Sequence, residues 1–174
     1  NGYAHIIMKG PDGNGNWRQD INIVNDAYQK KLEYAPQTYK YLAIKLRRPQ
    51  QSATANAGVL KFDIGDGVTA GNYCNSADYY VFDKETLTIV KKGTGVEKYG
   101  EPNIYVYDMS VDNAIKGSSP ILTNEAGVVT MTLLSLWIAD VKEAAIDKTY
   151  DMYWIKTFKT LEDLKAYIEK ENNK

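Results

Sequence analysis

Polar and apolar positions alternate with a period of two over most of the chain. This alternation is typical of strands with one face turned inward, and glycine, proline or asparagine clusters end each run. The pattern predicts about nine short strands, which is typical of an all-β sandwich or barrel. These are Tyr3–Lys9, Trp17–Val24, Tyr39–Arg47, Val59–Ile64, Asp78–Phe82, Thr86–Lys91, Ile104–Met109, Val128–Val141 and Thr149–Thr157.

The turns between these runs predict which strands pair. Gly10–Asn16 is a glycine- and asparagine-rich turn, so the first two strands are expected to form a hairpin or to lie side by side. Asp83–Glu85 is a short connection that predicts a second hairpin. In the strand Tyr39–Arg47, the alternate residues Leu42, Ile44 and Leu46 are predicted to face inward.

The C-terminal segment changes to a helical period. Leu161, Leu164 and Ile168 recur at i, i+3 and i+7, and Thr160 with Asp163 resembles a capping box. A short helix is therefore predicted at about residues 160–171. Together the patterns predict one domain over residues 1–174, an all-β antiparallel sandwich of two sheets in a jelly roll, closed by this helix.

Composition and charge exclude several classes of protein. With 21 Lys and Arg against 22 Asp and Glu, the net charge of -1 gives no basic surface for nucleic acid. No run reaches about 18 apolar residues, so no membrane span is expected. The chain opens with Asn1-Gly2-Tyr3 in place of Met, which predicts a processed or trimmed start.

Catalytic motifs are not apparent in the sequence. His5 is the sole histidine and lies in an alternating strand, so it is interpreted as a structural or surface residue. No Gly-x-Ser-x-Gly, phosphate-binding loop or zinc-ligand spacing occurs. A glycoside hydrolase needs two carboxylates about 5 to 10 Å apart, and the acidic residues here are too scattered to indicate such a pair. The chain is therefore predicted not to be an enzyme.

One turn resembles the start of a calcium-binding loop. Asp12, Asn14 and Asn16 have the alternate spacing of oxygen ligands, although Trp17 and Ile23 stand where a helix-loop-helix site needs Gly and Glu. A structural calcium ion held by Asp12 and Asn14 is one hypothesis. A flexible turn without metal is the alternative, and no other cofactor is predicted.

The aromatic residues suggest a binding surface for sugars. Tyr occurs 14 times and Trp 3 times, against 3 Phe, so most rings carry a polar group. Sugar binding needs flat rings beside planar hydrogen-bonding groups. Two clusters meet this requirement: one is Trp17 with Arg18, and the other contains Tyr73, Asp78 and Tyr80. Packing within strands or in the core is the alternative for each ring. The candidate carbohydrate-binding residues are Trp17, Arg18, Tyr73, Asp78 and Tyr80.

The C-terminal third carries a family resemblance. Trp154–Lys159, preceded by Trp137–Val141, is similar to the ending of an uncharacterised family of secreted or lipid-anchored domains from glycan-foraging gut bacteria. Trp17–Ile21 and Tyr39–Leu46 resemble its earlier strands. The resemblance implies a galactose-binding-like jelly roll, similar to carbohydrate-binding modules, outside the cell or on its surface. It implies no ligand residues.

Three functions are therefore open. The first is a non-catalytic module that binds a polysaccharide or oligosaccharide within a larger secreted or cell-surface protein. The second is a structural or protein-interaction domain of a surface assembly, and the third is a glycoside hydrolase or lyase. Exposed rings beside polar groups would favour the first, a broad apolar patch the second, and close carboxylates in a cleft the third.

Overall fold

The computed structural model describes residues 2–7, 17–25, 32–48, 60–65, 73–76, 79–110, 127–131, 133–141 and 149–173. Within these residues the chain forms twelve strands and one helix. The strands are β1 (Ala4–Ile7), β2 (Trp17–Asn25), β3 (Leu32–Tyr34), β4 (Tyr41–Arg47), β5 (Leu60–Gly65), β6 (Tyr73–Ser76), β7 (Tyr80–Asp83), β8 (Thr88–Lys91), β9 (Pro102–Asp108), β10 (Val129–Met131), β11 (Leu133–Val141) and β12 (Thr149–Phe158). The helix is α1 (Leu161–Asn172). The prediction of a mainly β chain with a C-terminal helix is confirmed.

The largest sheet has six strands in the order β1-β12-β4-β9-β7-β8, and every neighbouring pair is antiparallel. The central strand β4 pairs along its whole length with β9, from Tyr41 opposite Asp108 to Arg47 opposite Pro102. The predicted hairpin around Asp83–Glu85 is confirmed, because β7 pairs directly with β8. The short strand β1 forms one edge of this sheet and β8 forms the other.

Two further antiparallel sheets complete the described strands. One has the order β2-β11-β5-β6, and the other pairs β10 with β3. The prediction that the first two strands pair is wrong, because β1 pairs with β12 whereas β2 pairs with β11 in another sheet. The long pairing of β2 with β11 is therefore favoured over the hairpin that the Gly10–Asn16 turn predicts. The predicted strand Val128–Val141 is also wrong as a single strand, because β10 and β11 belong to different sheets.

The helix α1 begins at the predicted capping box. The Thr160 Oγ1 accepts a hydrogen bond from the Asp163 backbone N at 3.1 Å, and the Asp163 Oδ2 accepts one from the Thr160 backbone N at 3.1 Å. Leu164 and Ile168 then lie one turn apart on the buried side of the helix. They pack on one face of the six-stranded sheet, in a core cluster of Ala43, Phe82, Ile104, Val106, Phe158, Leu164 and Ile168.

The central strands of the six-stranded sheet are buried on the opposite face as well. Leu42, Ile44 and Leu46 alternate with Ala43 along β4, and all four are buried. The prediction that the three larger residues face inward is confirmed. Tyr105 of β9 and Val81 of β7 lie on the same face and are also buried. The helix therefore covers part of one side of this sheet, and other parts of the chain must cover the centre of the second side.

A β-bulge in β12 shapes the edge of the sheet next to β1. Met152 lies opposite Leu46 of β4, but the next paired residue, Trp154, lies opposite Lys45, so Tyr153 is the inserted residue. A bulge of this kind redirects the side chains that follow it. Asp151 and Trp154 consequently share the face of the sheet that carries α1, where an unbroken strand would place them on opposite faces.

Candidate functional site

A group of polar and aromatic side chains lies where β1, β12 and β4 adjoin, on the face of the sheet that carries the helix. We call this group the polar-aromatic face. It is formed by Tyr3, His5, Lys45, Arg47, Asp151 and Tyr153. The register places His5 opposite Asp151, and Asp151 opposite Arg47, so three strands bring these side chains into one row.

The carboxylate of Asp151 is the centre of the polar-aromatic face. Its Oδ1 lies 2.5 Å from the His5 Nδ1, and its Oδ2 accepts a hydrogen bond from the Arg47 Nε at 2.6 Å. The Arg47 Nη2 also donates to the Thr149 Oγ1 at 2.7 Å. Burial of Asp151 acts to raise the pKa of its carboxyl, but the hydrogen bonds from Arg47 and His5 outweigh it, so this pKa lies below its ordinary value. The carboxylate is therefore ionised near neutral pH.

Two tyrosine rings and the imidazole ring of His5 border this carboxylate. The rings of Tyr3 and Tyr153 have centroids 5.1 Å apart, and the Lys45 Nζ lies 5.4 Å from the Tyr153 centroid. Tyr3 is 54% exposed and the His5 side chain 48%, whereas Asp151 is only 7% exposed. Burial, with the nearby charge of Asp151, raises the pKa of Tyr153, which therefore remains a neutral phenol. The rings of Tyr3 and His5 are therefore exposed at this surface, and the carboxylate of Asp151 is buried beneath them.

The C-terminal turn of α1 marks one boundary of the polar-aromatic face. The carboxylate of Glu171 accepts hydrogen bonds from the Trp154 Nε1 and the Lys45 Nζ, both at 3.0 Å. Trp154 then packs edge-on against Tyr167, with ring centroids 5.3 Å apart. Trp154 is partly buried and packs against the core cluster. The helix thus covers one part of the sheet and leaves Tyr3 and His5 exposed.

A second cluster of ionised and aromatic side chains lies on the other face of the same sheet. We call it the buried arginine–tyrosine cluster, formed by Arg48, Tyr79, Glu97, Tyr105 and Tyr107. The Arg48 Nη1 donates to the Glu97 Oε1 at 2.7 Å, and Tyr79 and Tyr105 donate to the Glu97 carboxylate at 3.0 and 2.9 Å. The Tyr79 ring packs against those of Tyr105 and Tyr107, at centroid distances of 5.4 and 6.2 Å.

Burial determines the ionisation of this second cluster. Arg48, Tyr105 and Tyr107 are almost completely inaccessible. Burial acts to lower the pKa of Arg48, but Tyr105 and Glu97 outweigh it, so the pKa is raised and the guanidinium stays charged. Burial also raises the pKa of Tyr79 and Tyr105 above the ordinary value for tyrosine. The tyrosine side chains of the cluster are therefore neutral and enclose one ion pair. Little of the cluster is accessible to a ligand.

A surface cleft of about 290 Å³ lies between the β7–β8 turn and the loop that precedes β9. The Asp83 carboxylate shapes the turn by accepting from the Glu85 backbone N and the Thr86 Oγ1, both at 2.9 Å, and these bonds lower its pKa. Asn103 holds the loop through a bond from its Nδ2 to the Lys98 carbonyl at 2.8 Å. The ring in its lining, Phe82, is buried. The cleft therefore lacks the exposed ring that the polar-aromatic face presents.

Three of the residues predicted to bind sugar lie in a different sheet from the polar-aromatic face. Trp17 and Arg18 begin β2 and Tyr73 begins β6, on the two outer strands of the four-stranded sheet. Trp17 of β2 lies opposite Val141 of β11. Tyr73 of β6 lies opposite Gly65 of β5, which in turn lies opposite Leu133 of β11, eight residues before Val141. This separation is about 25 Å along the strands, so Trp17 and Tyr73 cannot contact the same sugar ring. Each stays a prediction on its own.

The remaining predicted site residues divide into two groups. Tyr80 lies on β7 and is partly buried against the core cluster beneath α1. Its ring is therefore mainly a packing group, the alternative that strand propensity suggested. Asp78, Asp12 and Asn14 lie outside the described residues, so the hypothesis of a calcium site stays a prediction. Among the residues that the structure does describe, no three His, Cys, Asp or Glu side chains group as metal ligands.

Sequence reasoning missed most of the polar-aromatic face. The alternation in the first strand places Tyr3 and His5 on one face, which was a usable signal. His5 was interpreted as structural or surface, and it is a half-exposed side chain paired with a carboxylate. Its partner, Asp151, lies 146 positions away, and the bulge at Tyr153 is not visible in the pattern. Only the pairing of β1 with β12 reveals the site.

Comparison with known proteins identifies the family of this β-rich domain. Residues 1–164 match the family described as Domain of unknown function (DUF4979), so the chain belongs to that family. No curated protein and no solved structure matches the chain. In the part of the chain that the structure describes, no helix has the length and apolar character needed to cross a membrane.

Proposed function

We propose that this protein is a non-catalytic carbohydrate-binding module of a secreted or cell-surface glycan-utilisation protein. The observation that carries the proposal is the polar-aromatic face, where the exposed ring of Tyr3 lies beside the row of His5, Asp151 and Arg47. Sugars present flat C–H faces that pack on rings, and hydroxyl groups that bond to planar polar groups. The polar-aromatic face offers both kinds of contact within three adjacent strands.

The rigidity of the polar-aromatic face supports the same proposal. Arg47 and His5 are both held by the buried Asp151, and Tyr153 packs against Tyr3. Side chains that are already fixed lose little conformational freedom when a ligand binds, so more of the contact energy contributes to affinity. A neighbouring hydroxyl or thiol nucleophile is not found among the described contacts of His5. The geometry therefore favours binding over acyl transfer.

The proposal includes a galactose-binding-like jelly roll. At the central strand β4, residues on both faces of the six-stranded sheet are buried, although α1 packs on only one face. We assign the cover of the second face to the four-stranded sheet, which would produce a two-sheet sandwich. The family resemblance supports a bacterial extracellular setting, either secreted or lipid-anchored, in which this domain accompanies other domains of a larger surface protein.

A polysaccharide screen tests the proposal. Affinity electrophoresis through gels that contain starch, xylan, galactan, polygalacturonate or alginate should show retardation by at least one of them. Tyr3→Ala should weaken this binding by about tenfold, equivalent to ~1.4 kcal/mol. Tyr39→Ala is the matched control, because Tyr39 is also exposed but contacts Lys159 away from the polar-aromatic face. It should leave the retardation unchanged.

The same screen separates the two other functions. Release of reducing sugar from any of these polysaccharides would indicate a glycoside hydrolase and contradict a non-catalytic module, and release of unsaturated products would indicate a lyase. Absence of both retardation and product release would favour a structural or protein-interaction domain. Equal loss of retardation in Tyr3→Ala and Tyr39→Ala would contradict the placement of the sugar site on the polar-aromatic face.

A further inference from the structure

The charged side chains of the polar-aromatic face form ion pairs with one another or with Glu171 of α1. Arg47 pairs with Asp151 at 2.6 Å, and Lys45 pairs with Glu171 at 3.0 Å, so two cations meet two anions. These charged side chains have low exposure, at most 19% for Glu171. The groups that reach the surface are the Tyr3 phenol and the His5 imidazole. A ligand therefore meets these two rings first, because the charged groups lie beneath them in ion pairs.

The pairing with Asp151 also determines which nitrogen of His5 carries the proton. An ionised carboxylate can only accept hydrogen bonds, and Arg47 holds Asp151 in that state. The His5 Nδ1 must then be the donor to the Asp151 Oδ1. In a neutral imidazole the other nitrogen, Nε2, then carries a lone pair and is an acceptor. None of the described residues forms a hydrogen bond with Nε2, and the side chain is half exposed.

We propose that His5 is the specificity-determining residue of the polar-aromatic face, and that its Nε2 accepts a hydrogen bond from a hydroxyl group of an uncharged glycan stacked on Tyr3. Asp151 is the positioning residue that fixes this tautomer. The inference rests on the proposed function and adds the class of sugar. A uronate carboxylate or a sulfate placed against Nε2 has no proton to donate and would leave the lone pair unpaired, whereas a neutral sugar has a hydroxyl group in that place. Neutral glycans are therefore preferred over acidic ones.

The first experiment tests the tautomer without any ligand. Because His5 is the sole histidine, its two ring nitrogens can be assigned directly in a long-range 1H–15N NMR spectrum. In the neutral form of the ring, the wild type should show a protonated Nδ1 and an unprotonated Nε2. Asp151→Ala removes the acceptor and should populate both tautomers, whereas the exposed control Glu101→Gln should retain the wild-type spectrum. A wild-type spectrum with the proton on Nε2 would overturn the positioning role.

The second experiment tests the ligand class with the polysaccharides of the screen. Affinity for the neutral polysaccharide that retards the wild type most should fall about 5- to 10-fold in His5→Phe, the loss expected for one hydrogen bond. His5→Gln should recover most of it, because the amide supplies an acceptor at a similar reach. Starch, xylan or galactan should bind more tightly than polygalacturonate or alginate.

The outcomes distinguish the inference from the function on which it rests. If Tyr3→Ala abolishes retardation but His5→Phe does not change it, the role of His5 is wrong and the proposed function stands. Preferential binding of polygalacturonate or alginate would overturn the ligand class alone. If no polysaccharide is retarded, the proposed function and the ligand class both fail, while the NMR spectrum still decides the positioning role of Asp151.

Discussion

Arg47 is the last residue of β4 and Arg48 follows it directly, and each forms an ion pair on a different face of the same sheet. Arg47 bonds to Asp151 in the polar-aromatic face, and Arg48 bonds to Glu97 in the buried arginine–tyrosine cluster. Both are arginine–carboxylate pairs with neighbouring tyrosines. Because successive side chains of an extended chain point to opposite faces, one pair of adjacent residues supplies both clusters.

The two clusters differ in what surrounds the ion pair. Tyr79 and Tyr105 bond to Glu97 from within the protein, and Arg48 is inaccessible to solvent. In the polar-aromatic face, by contrast, the groups bordering the carboxylate include Tyr3 and the side chain of His5, both about half exposed. The Arg48–Glu97 pair is therefore structural, because the protein encloses it. The Arg47–Asp151 pair instead supports exposed groups that a ligand can contact.

The largest expected effect comes from breaking the enclosed ion pair. Arg48→Ala leaves the Glu97 carboxylate in a buried site without its cation, so the free energy of unfolding should fall by about 3–5 kcal/mol. Arg47→Ala should cost less, because Arg47 is itself partly exposed and His5 still donates a hydrogen bond to Asp151. Urea denaturation of both variants measures the difference. An equal loss for the two arginines would contradict the distinction between the clusters.

An intermediate effect is expected at Asp151, with a characteristic dependence on pH. Asp151→Asn weakens charge-assisted hydrogen bonds, so it should reduce the free energy of unfolding by about 1.5–3 kcal/mol at pH 7. The pKa of the Asp151 carboxyl is lowered from 3.8 by folding, so its contribution is complete above that value. It disappears as the pH falls through the lower pKa of the folded state. The stabilities of variant and wild type should therefore converge in acid, and a gap that persists there would refute this ionisation.

The smallest effect on stability is expected for the exposed ring of the polar-aromatic face. Tyr3→Ala removes a side chain that is 54% exposed, so the free energy of unfolding should change by less than about 0.5 kcal/mol. Tyr105→Ala, by comparison, removes a fully buried ring and should cost about 3–5 kcal/mol. Thermal melting of the two variants measures this contrast. A large loss from Tyr3→Ala would make its ring structural and would weaken the proposed sugar site.

Local features of the fold could be predicted where neighbouring residues determine the structure. The capping box of Thr160 and Asp163 and the spacing of Leu164 and Ile168 specify α1 through contacts three or four residues apart. The period-two pattern similarly identified β4 and its inward residues. The pairing of β1 with β12 could not be predicted, because strands at opposite ends of the chain meet through packing that no local pattern encodes.

The sequence by itself indicated the period of most strands and of the helix, the start of the helix and the absence of known catalytic motifs, since these depend on the order of nearby residues. Only the tertiary structure decided that His5 meets Asp151 and Arg47, and that Trp17 and Tyr73 lie at distant corners of another sheet. Strand register and the bulge at Tyr153 depend on the sum of many long-range contacts. The site is therefore a property of the assembled sheet, and its residues become recognisable only when the two ends of the chain are brought together.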